Sequence, residues 1–210
     1  MTQAIDAQNH TVQIGYDAHG LPTSITDPLN HTVTIIRDGN GYATSITDPL
    51  NRTASMGYDG LGRVVSFTDG ANKNTQFQYD ASDDLTQVTD AINGVTRYNY
   101  TGGMLNGGKL LSSLQDAKNQ TTGFGYDTRG RLTSVTNPLN QSRSYEYDDA
   151  NNLTKVIKPD GAALTFSYDA LNRLTQQNLP GDLVSYDYDA ANNVTRAENN
   201  DSKVQMGYDA

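Results

Sequence analysis

The sequence predicts an all-β fold: tandem repeats of about 21 residues, each a β-hairpin, laid down as one long antiparallel meander. Three observations predict it. Tyr-Asp pairs recur at a fixed spacing, a period-2 apolar pattern runs into each pair, and Asp-x-x-Gly/Asn turn signals return every ten or eleven residues. Helical periodicity is missing, since no i, i+3, i+4, i+7 apolar series persists along the chain.

The anchors come first. Tyr-Asp stands at Tyr16-Asp17, Tyr58-Asp59, Tyr79-Asp80, Tyr126-Asp127, Tyr147-Asp148, Tyr168-Asp169, Tyr188-Asp189 and Tyr208-Asp209, with two in-phase variants, Arg37-Asp38 and Tyr100-Thr101. Successive anchors lie 21, 21, 21, 21, 26, 21, 21, 20 and 20 residues apart. Two residues before each anchor stands Ile14, Ile35, Met56, Phe77, Tyr98, Phe124, Tyr145, Phe166, Tyr186 or Met206. Twelve of the 13 tyrosines therefore occupy one of these two positions, Tyr42 being the exception. Alternation of this kind marks a strand with one apolar face.

The turns follow. After each Tyr-Asp, the fourth residue from the Tyr is Gly20, Gly41, Gly62, Gly130, Asn151, Asn172 or Asn192, with Asp83 departing from the pattern. Asp at the head of such a turn accepts backbone N–H groups, and Gly or Asn supplies a left-handed residue that closes the hairpin with a bulge. A second turn stands mid-repeat, as in Asp27-Pro28-Leu29-Asn30, Asp48-Pro49-Leu50-Asn51, Asp69-Gly70-Ala71-Asn72, Asp116-Ala117-Lys118-Asn119 and Asn137-Pro138-Leu139-Asn140. Between turns run about six residues rich in Thr, Val, Leu and Tyr. The strand after each anchor is less regular. Leu132 and Val135 are three apart and share a face only if a bulge intervenes, which leaves its orientation open.

About ten repeats of two strands make a single array over residues 1–210, interrupted by a glycine-rich insertion at 101–108 in the fifth repeat. Flat, such a ribbon would run roughly 95 Å by about 20 Å at ~4.8 Å per strand. Strand twist obliges it to coil, into a spiral, shell-like sheet or a folded-over sandwich. Repeat arrays carry capping ends, and both termini here cut through the pattern (Asp6-Ala7-Gln8-Asn9 is already a mid-repeat turn), so the expectation is a fragment of a longer protein.

Composition narrows the function. Leu, Ile, Val and Phe make up only 40 of 210 residues, and order must come from pattern rather than from a large core. A net charge of −9 opposes phosphate-backbone binding, so no nucleic-acid partner is expected. No apolar run is long enough for a membrane helix, no signal peptide precedes the first strand, and with no cysteine there is neither disulfide nor thiolate site. His10, His19 and His31 sit at turn flanks where Arg or Gln also occurs, an unpromising place for catalysis. Carboxylates serve as turn caps. Asp80-Ala81-Ser82-Asp83-Asp84, Asp38-Gly39-Asn40-Gly41 and Asp187-Tyr188-Asp189 lack the spacing of known calcium loops. Glu146 and Glu198 belong to different repeats and make no glycosidase pair. No cofactor, no metal and no catalytic residue is expected. Tyrosine rows also bind sugars by stacking, which leaves a cell-surface carbohydrate-binding or adhesive module as the alternative.

The segment Tyr126-Asp127-Thr128-Arg129-Gly130-Arg131-Leu132-Thr133-Ser134-Val135-Thr136 resembles the signature of the Rhs/YD-repeat family, as do Tyr58-Asp59-Gly60-Leu61-Gly62-Arg63-Val64-Val65 and Tyr168-Asp169-Ala170-Leu171-Asn172-Arg173-Leu174-Thr175. The resemblance implies repeats like those of bacterial polymorphic toxins, insecticidal toxin complexes and teneurins, in which a β-strip spirals into a hollow shell. In bacterial members the shell encloses a C-terminal toxin. The family's self-cleaving segment has no match. The implied partners are the rest of the parent shell and an enclosed effector polypeptide, in a secreted or surface protein, with self-association through exposed sheet edges.

Overall fold

A computed structural model describes residues 2–5, 7, 10–101 and 108–208. Three sequence expectations fall wholly or partly outside them: the turn at 6–9, the insertion at 101–108, and Asp209 of the last anchor. The described residues form twenty β-strands and no helix. The chain divides into two compact units, residues 1–98 with 116–118, and residues 99–115 with 119–210.

In the first unit the strands are β1 (Thr2–Ile5), β2 (Thr11–Tyr16), β3 (Pro22–Thr26), β4 (Thr32–Arg37), β5 (Ala43–Thr47), β6 (Thr53–Tyr58), β7 (Val64–Thr68), β8 (Asn74–Tyr79), β9 (Leu85–Thr89) and the start of β10 (Val95–Tyr100). The second unit holds the end of β10 and then β11 (Leu111–Gln115), β12 (Thr121–Tyr126), β13 (Leu132–Thr136), β14 (Ser142–Tyr147), β15 (Leu153–Ile157), β16 (Ala163–Tyr168), β17 (Leu174–Leu179), β18 (Asp182–Tyr188), β19 (Val194–Glu198) and β20 (Lys203–Gln205). Consecutive strands pair antiparallel from β1 to β10 and again from β11 to β20. This is the hairpin meander that the spacing predicts.

Two hairpin types alternate. At eight anchor turns among the described residues the register slips by one residue: Phe124 faces Val135, Gly125 faces Ser134, then Tyr126 faces Leu132, skipping Thr133. The same slip recurs at β2/β3, β4/β5, β6/β7, β8/β9, β14/β15, β16/β17 and β18/β19. The bulge settles the open orientation. Residues directly opposite in an antiparallel pair share a face, so Leu132 and Val135 join Tyr126 and Phe124 on one apolar face despite their spacing of three. Mid-repeat hairpins keep regular register, as in Thr26↔Thr32 and Thr136↔Ser142.

The shortened spacings have local causes. Leu179 pairs with Asp182 across Pro180-Gly181, a two-residue connection in which Gly181 has φ +88°, and Asn199 closes on Ser202 in the next mid-repeat turn. Each replaces the longer Asp-x-x-Asn turn and removes one residue from the repeat.

Contacts between strands run only between consecutive ones among the described residues, and none of those residues is fully buried. Each unit is thus a sheet one layer thick. Backbone ladders and cross-strand side-chain pairs hold it, in place of a packed core.

Candidate functional site

The candidate structural site is the row of anchor turns. In each, the Asp carboxylate organises the loop: Asp127 Oδ1 accepts the amides of Arg129 at 2.9 Å and Arg131 at 3.0 Å. Asp17, Asp59, Asp169 and Asp189 repeat the pattern, Asp80 does so with the amides of Ser82 and Asp84, and Asp148 Oδ1 accepts the amide of Asn152. The fourth turn residue is left-handed at Gly20 (φ +78°), Gly41 (+88°), Gly62 (+80°), Gly130 (+80°), Asn151 (+71°), Asn172 (+62°) and Asn192 (+69°). Asp83, which broke the Gly/Asn pattern, takes the same conformation at φ +67°; a short polar side chain tolerates it.

The anchor tyrosine reaches away from its own turn, across to the preceding strand. Tyr147 donates its hydroxyl to the Leu132 carbonyl at 3.0 Å, fifteen residues back, beside the bulge of the preceding anchor hairpin. Tyr58 does the same to Ala43, Tyr79 to Val64, Tyr126 to Leu111, Tyr168 to Leu153, Tyr188 to Leu174 and Tyr208 to Val194, at 2.8–3.0 Å. Tyr16 instead accepts from the Thr2 hydroxyl at 3.2 Å.

An arginine completes the stitch in three copies. Arg131 Nε donates to Asp127 Oδ2 at 2.7 Å, while its Nη1 donates to the Asp148 carbonyl at 2.7 Å and to Asn151 Oδ1 at 3.1 Å in the next turn. Its guanidinium lies 4.8 Å over the Tyr147 ring. Arg63 and Arg173 repeat this arrangement over Tyr79 and Tyr188, at 4.8 and 4.6 Å. In the β14/β15 repeat Asn152 stands in for the arginine, donating to Asp148 Oδ2 and to Asn172 Oδ1.

The irregular second repeat exchanges the two roles. Arg37, in the tyrosine position, donates from Nε to the Pro22 carbonyl at 3.3 Å, again fifteen residues back. Tyr42, in the arginine position, stacks on Tyr58 with ring centroids 4.9 Å apart. This accounts for the one tyrosine outside the periodicity. Sequence reasoning missed the stitch altogether; the recurrence of Arg at the fifth residue after the Tyr was the signal that carried it.

Electrostatics follow the hydrogen bonds. The Asp169 carboxyl is held below its ordinary range, chiefly by the Arg173 amide and then by the Arg173 side chain, against partial desolvation. For Asp59 and Asp127 the largest single influence is desolvation, which pushes upward. The summed arginine side chain and two turn amides outweigh it, so both carboxyls also end low. Desolvation raises the Tyr147 and Tyr168 hydroxyls, which keeps them protonated donors. Of the histidines, His31 Nδ1 meets Asp27 Oδ2 at 2.9 Å. No cluster of three His, Cys, Asp or Glu able to hold a metal ion occurs among the described residues.

The mid-repeat turns use the same caps with a shorter reach. Asp48 Oδ1 accepts the amides of Leu50 and Arg52, and Arg52 Nε donates to Asp48 Oδ2 at 2.6 Å. Before the Asp stands Thr, whose hydroxyl pairs across its own hairpin, Thr47 with Thr53 and Thr26 with Thr32, both at 2.8 Å.

The RHS repeat model matches residues 16–53, 58–94, 106–140, 126–163, 147–184 and 168–204. The chain belongs to the RHS repeat family. No curated protein matches it. Among solved structures, an RHS-repeat chain is similar to the TcdB2–TccC3 complex lacking its hypervariable C-terminal region, at 16% identity and TM-score 0.37, over 91% of this chain and 14% of that one. The Photorhabdus luminescens Tc holotoxin pore gives 15% and 0.37 over 96% and 15%. A porin-like protein from Bacteroides uniformis gives 10% and 0.36 over 97% and 95%. The chain thus spans about one seventh of the first two.

Proposed function

We propose that this RHS array is a wall segment of a hollow β-shell in a secreted protein, enclosing an effector polypeptide carried by the same parent chain. One observation carries the reading: within each unit the sheet is a single layer, with no buried side chain among the described residues. A sheet with an uncovered face of Tyr, Phe, Ile, Val and Leu and an opposite face rich in Ser, Thr, Gln and Gly is a partition rather than a globule. Its chemistry is that of a wall. Carboxylates cap turns, arginines bridge them, and tyrosine hydroxyls are spent on backbone carbonyls, so the segment is not an enzyme in this reading. The carbohydrate-binding alternative is disfavoured by the same geometry, because guanidinium groups lie over the Tyr79, Tyr147 and Tyr188 rings, and Tyr42 over Tyr58, where a sugar would stack.

Electron microscopy of the full natural polypeptide tests it. A hollow particle with strands at the ~4.8 Å sheet spacing running round its wall is expected. A solid globule or an extended rod refutes it.

A further inference from the structure

The apolar face of the second unit carries one cation that the repeat does not call for. Four residues before the anchor, the other nine repeats have Val, Ala, Thr or Leu; the seventh has Arg143. Arg143 stands opposite Val135, and Tyr145 opposite Val156, so the arginine shares the face of the aromatic rows. The mid-repeat turns on either side lose their acidic heads at the same place. Where earlier turns begin with Asp27, Asp48, Asp69, Asp90 and Asp116, the turn before Arg143 begins with Asn137 and the turn after it with Lys158. Arg52, Arg63, Arg131, Arg173 and Arg196 each meet a carboxylate. Arg143 meets none among the described residues.

We propose that this place binds a carboxylate, that of an acidic side chain in a polypeptide lying on the apolar face. A groove of about 210 Å³ runs between the two turns, walled by Val135, Asn137, Gln141, Arg143, Tyr145 and Pro159. Its unspent polar groups are donors. Gln141 Oε1 accepts from Asn137 Nδ2 at 2.9 Å, which leaves the Gln141 Nε2 hydrogens over. Asn137 Oδ1 is taken by the amides of Leu139 and Gln141, both at 3.0 Å. The Tyr145 hydroxyl, unlike those of the anchor tyrosines, has no hydrogen-bond partner among the described residues. Asp160, the carboxylate of the second turn, holds the Ala162 amide of its own loop at 2.9 Å.

The chemistry selects the ligand. A guanidinium fork beside hydroxyl and amide donors matches a planar anion with two oxygens, which a carboxylate is. The chain carries a net charge of −9, which costs a dianionic phosphate more than a singly charged carboxylate. Val135, Pro159 and the Tyr145 ring set apolar surface against the charge. An acidic side chain with apolar neighbours in its own chain covers both. A sugar acid would instead lay its ring hydroxyls on Val135 and Pro159, whose side chains return no hydrogen bond. Arg143 is exposed, so one such contact is weak. The site goes beyond the wall reading and does not depend on it.

NMR of the full chain, isotope-labelled at arginine and glutamine, tests the site, with the Arg143 Nε–H signal assigned from Arg143→Thr. That variant installs the residue found at Thr75, Thr96 and Thr122 in the equivalent position, and its β-sheet spectrum is expected to be unchanged. The probe is the blocked peptide acetyl-Leu-Glu-Leu-amide, set against its Gln counterpart, inorganic phosphate and glucuronate. The Glu peptide is expected to shift the Arg143 Nε–H and Gln141 side-chain signals saturably, about tenfold more tightly than the Gln peptide. Arg143→Thr is expected to abolish the Gln141 response, and Lys158→Gln to weaken binding roughly twofold. No saturable shift, equal affinity for the two peptides, tighter binding of phosphate or glucuronate, or the same response at Arg52 and Arg129 overturns the site.

Discussion

The two rows of turns share their local chemistry and differ in reach. Asp127 and Asp48 cap their loops with the same two amide hydrogen bonds and bind an arginine four residues on through the same carboxylate oxygen. Around Asp127 the preceding residue is Tyr, and the tyrosine of the next repeat lies under the guanidinium; around Asp48 the preceding residue is Thr. Both hydroxyls reach the adjacent strand, but the Tyr147 hydroxyl ends on a backbone carbonyl, that of Leu132 beside the preceding anchor turn, whereas the Thr47 hydroxyl ends on the side chain of Thr53 directly opposite. One residue type at one position therefore decides whether the hydroxyl before the turn bonds a backbone carbonyl or another side chain.

The largest expected effect contrasts Gly62 with Gly161. Both have positive φ, at +80° and +84°, so alanine at either costs ~1–2 kcal/mol for the left-handed backbone. At Gly62 the new methyl would also strike the Tyr42 ring and hydroxyl, whereas nothing lies within 4 Å at Gly161. Chemical denaturation should show Gly62→Ala as clearly the worse; equal losses would mean that the anchor row is no more tightly packed than the other.

Next comes the tyrosine hydroxyl. Tyr147→Phe should cost ~1 kcal/mol by loss of the Leu132 hydrogen bond, while Thr47→Val, on the mid-repeat side, should stay within about 0.5 kcal/mol. A double-mutant cycle between Arg131→Ala and Tyr147→Leu should return a coupling of about 0.5–1 kcal/mol. The exchanged repeat sharpens the same point. Arg37→Tyr and Tyr42→Arg should each destabilise alone and compensate when combined, since together they restore the arrangement of the other repeats. Additive losses would refute the exchange of roles.

The smallest effect is acid sensitivity. The Asp27, Asp48, Asp59, Asp127 and Asp169 carboxyls all lie below the ordinary value of 3.8 in the folded chain. The stability they contribute is therefore complete above that value and is lost as pH falls through the folded values. Urea midpoints should hold steady from neutral pH to about 4 and decline below it. Because both rows hold depressed carboxyls, Asp48→Asn and Asp127→Asn should each flatten part of the decline.

Much of the fold is legible in the one-dimensional pattern. The Tyr-Asp spacing, the alternation before it and the turn residues give strand number, strand ends and antiparallel order. Leu132 and Val135 share a face through the bulge that the register shows, an orientation their spacing alone left open. What the pattern hides is side-chain reach. Tyrosine at the anchor and Tyr, Phe, Ile or Met two residues earlier look alike as bulk, yet it is the anchor hydroxyl that finds a carbonyl fourteen or fifteen residues back. Asp83 broke the Gly/Asn rule as a letter but not as a conformation.

By itself the sequence determined that this chain is a repeating antiparallel meander of the RHS kind, because turn chemistry and period-2 alternation are local and need no partner. Only the tertiary structure decided which turns are joined to one another by side chains. That outcome depends on whether a side chain crosses to the end of the neighbouring strand, as Arg131 does to Asp148 and Asn151, a distance in space that residue spacing does not record.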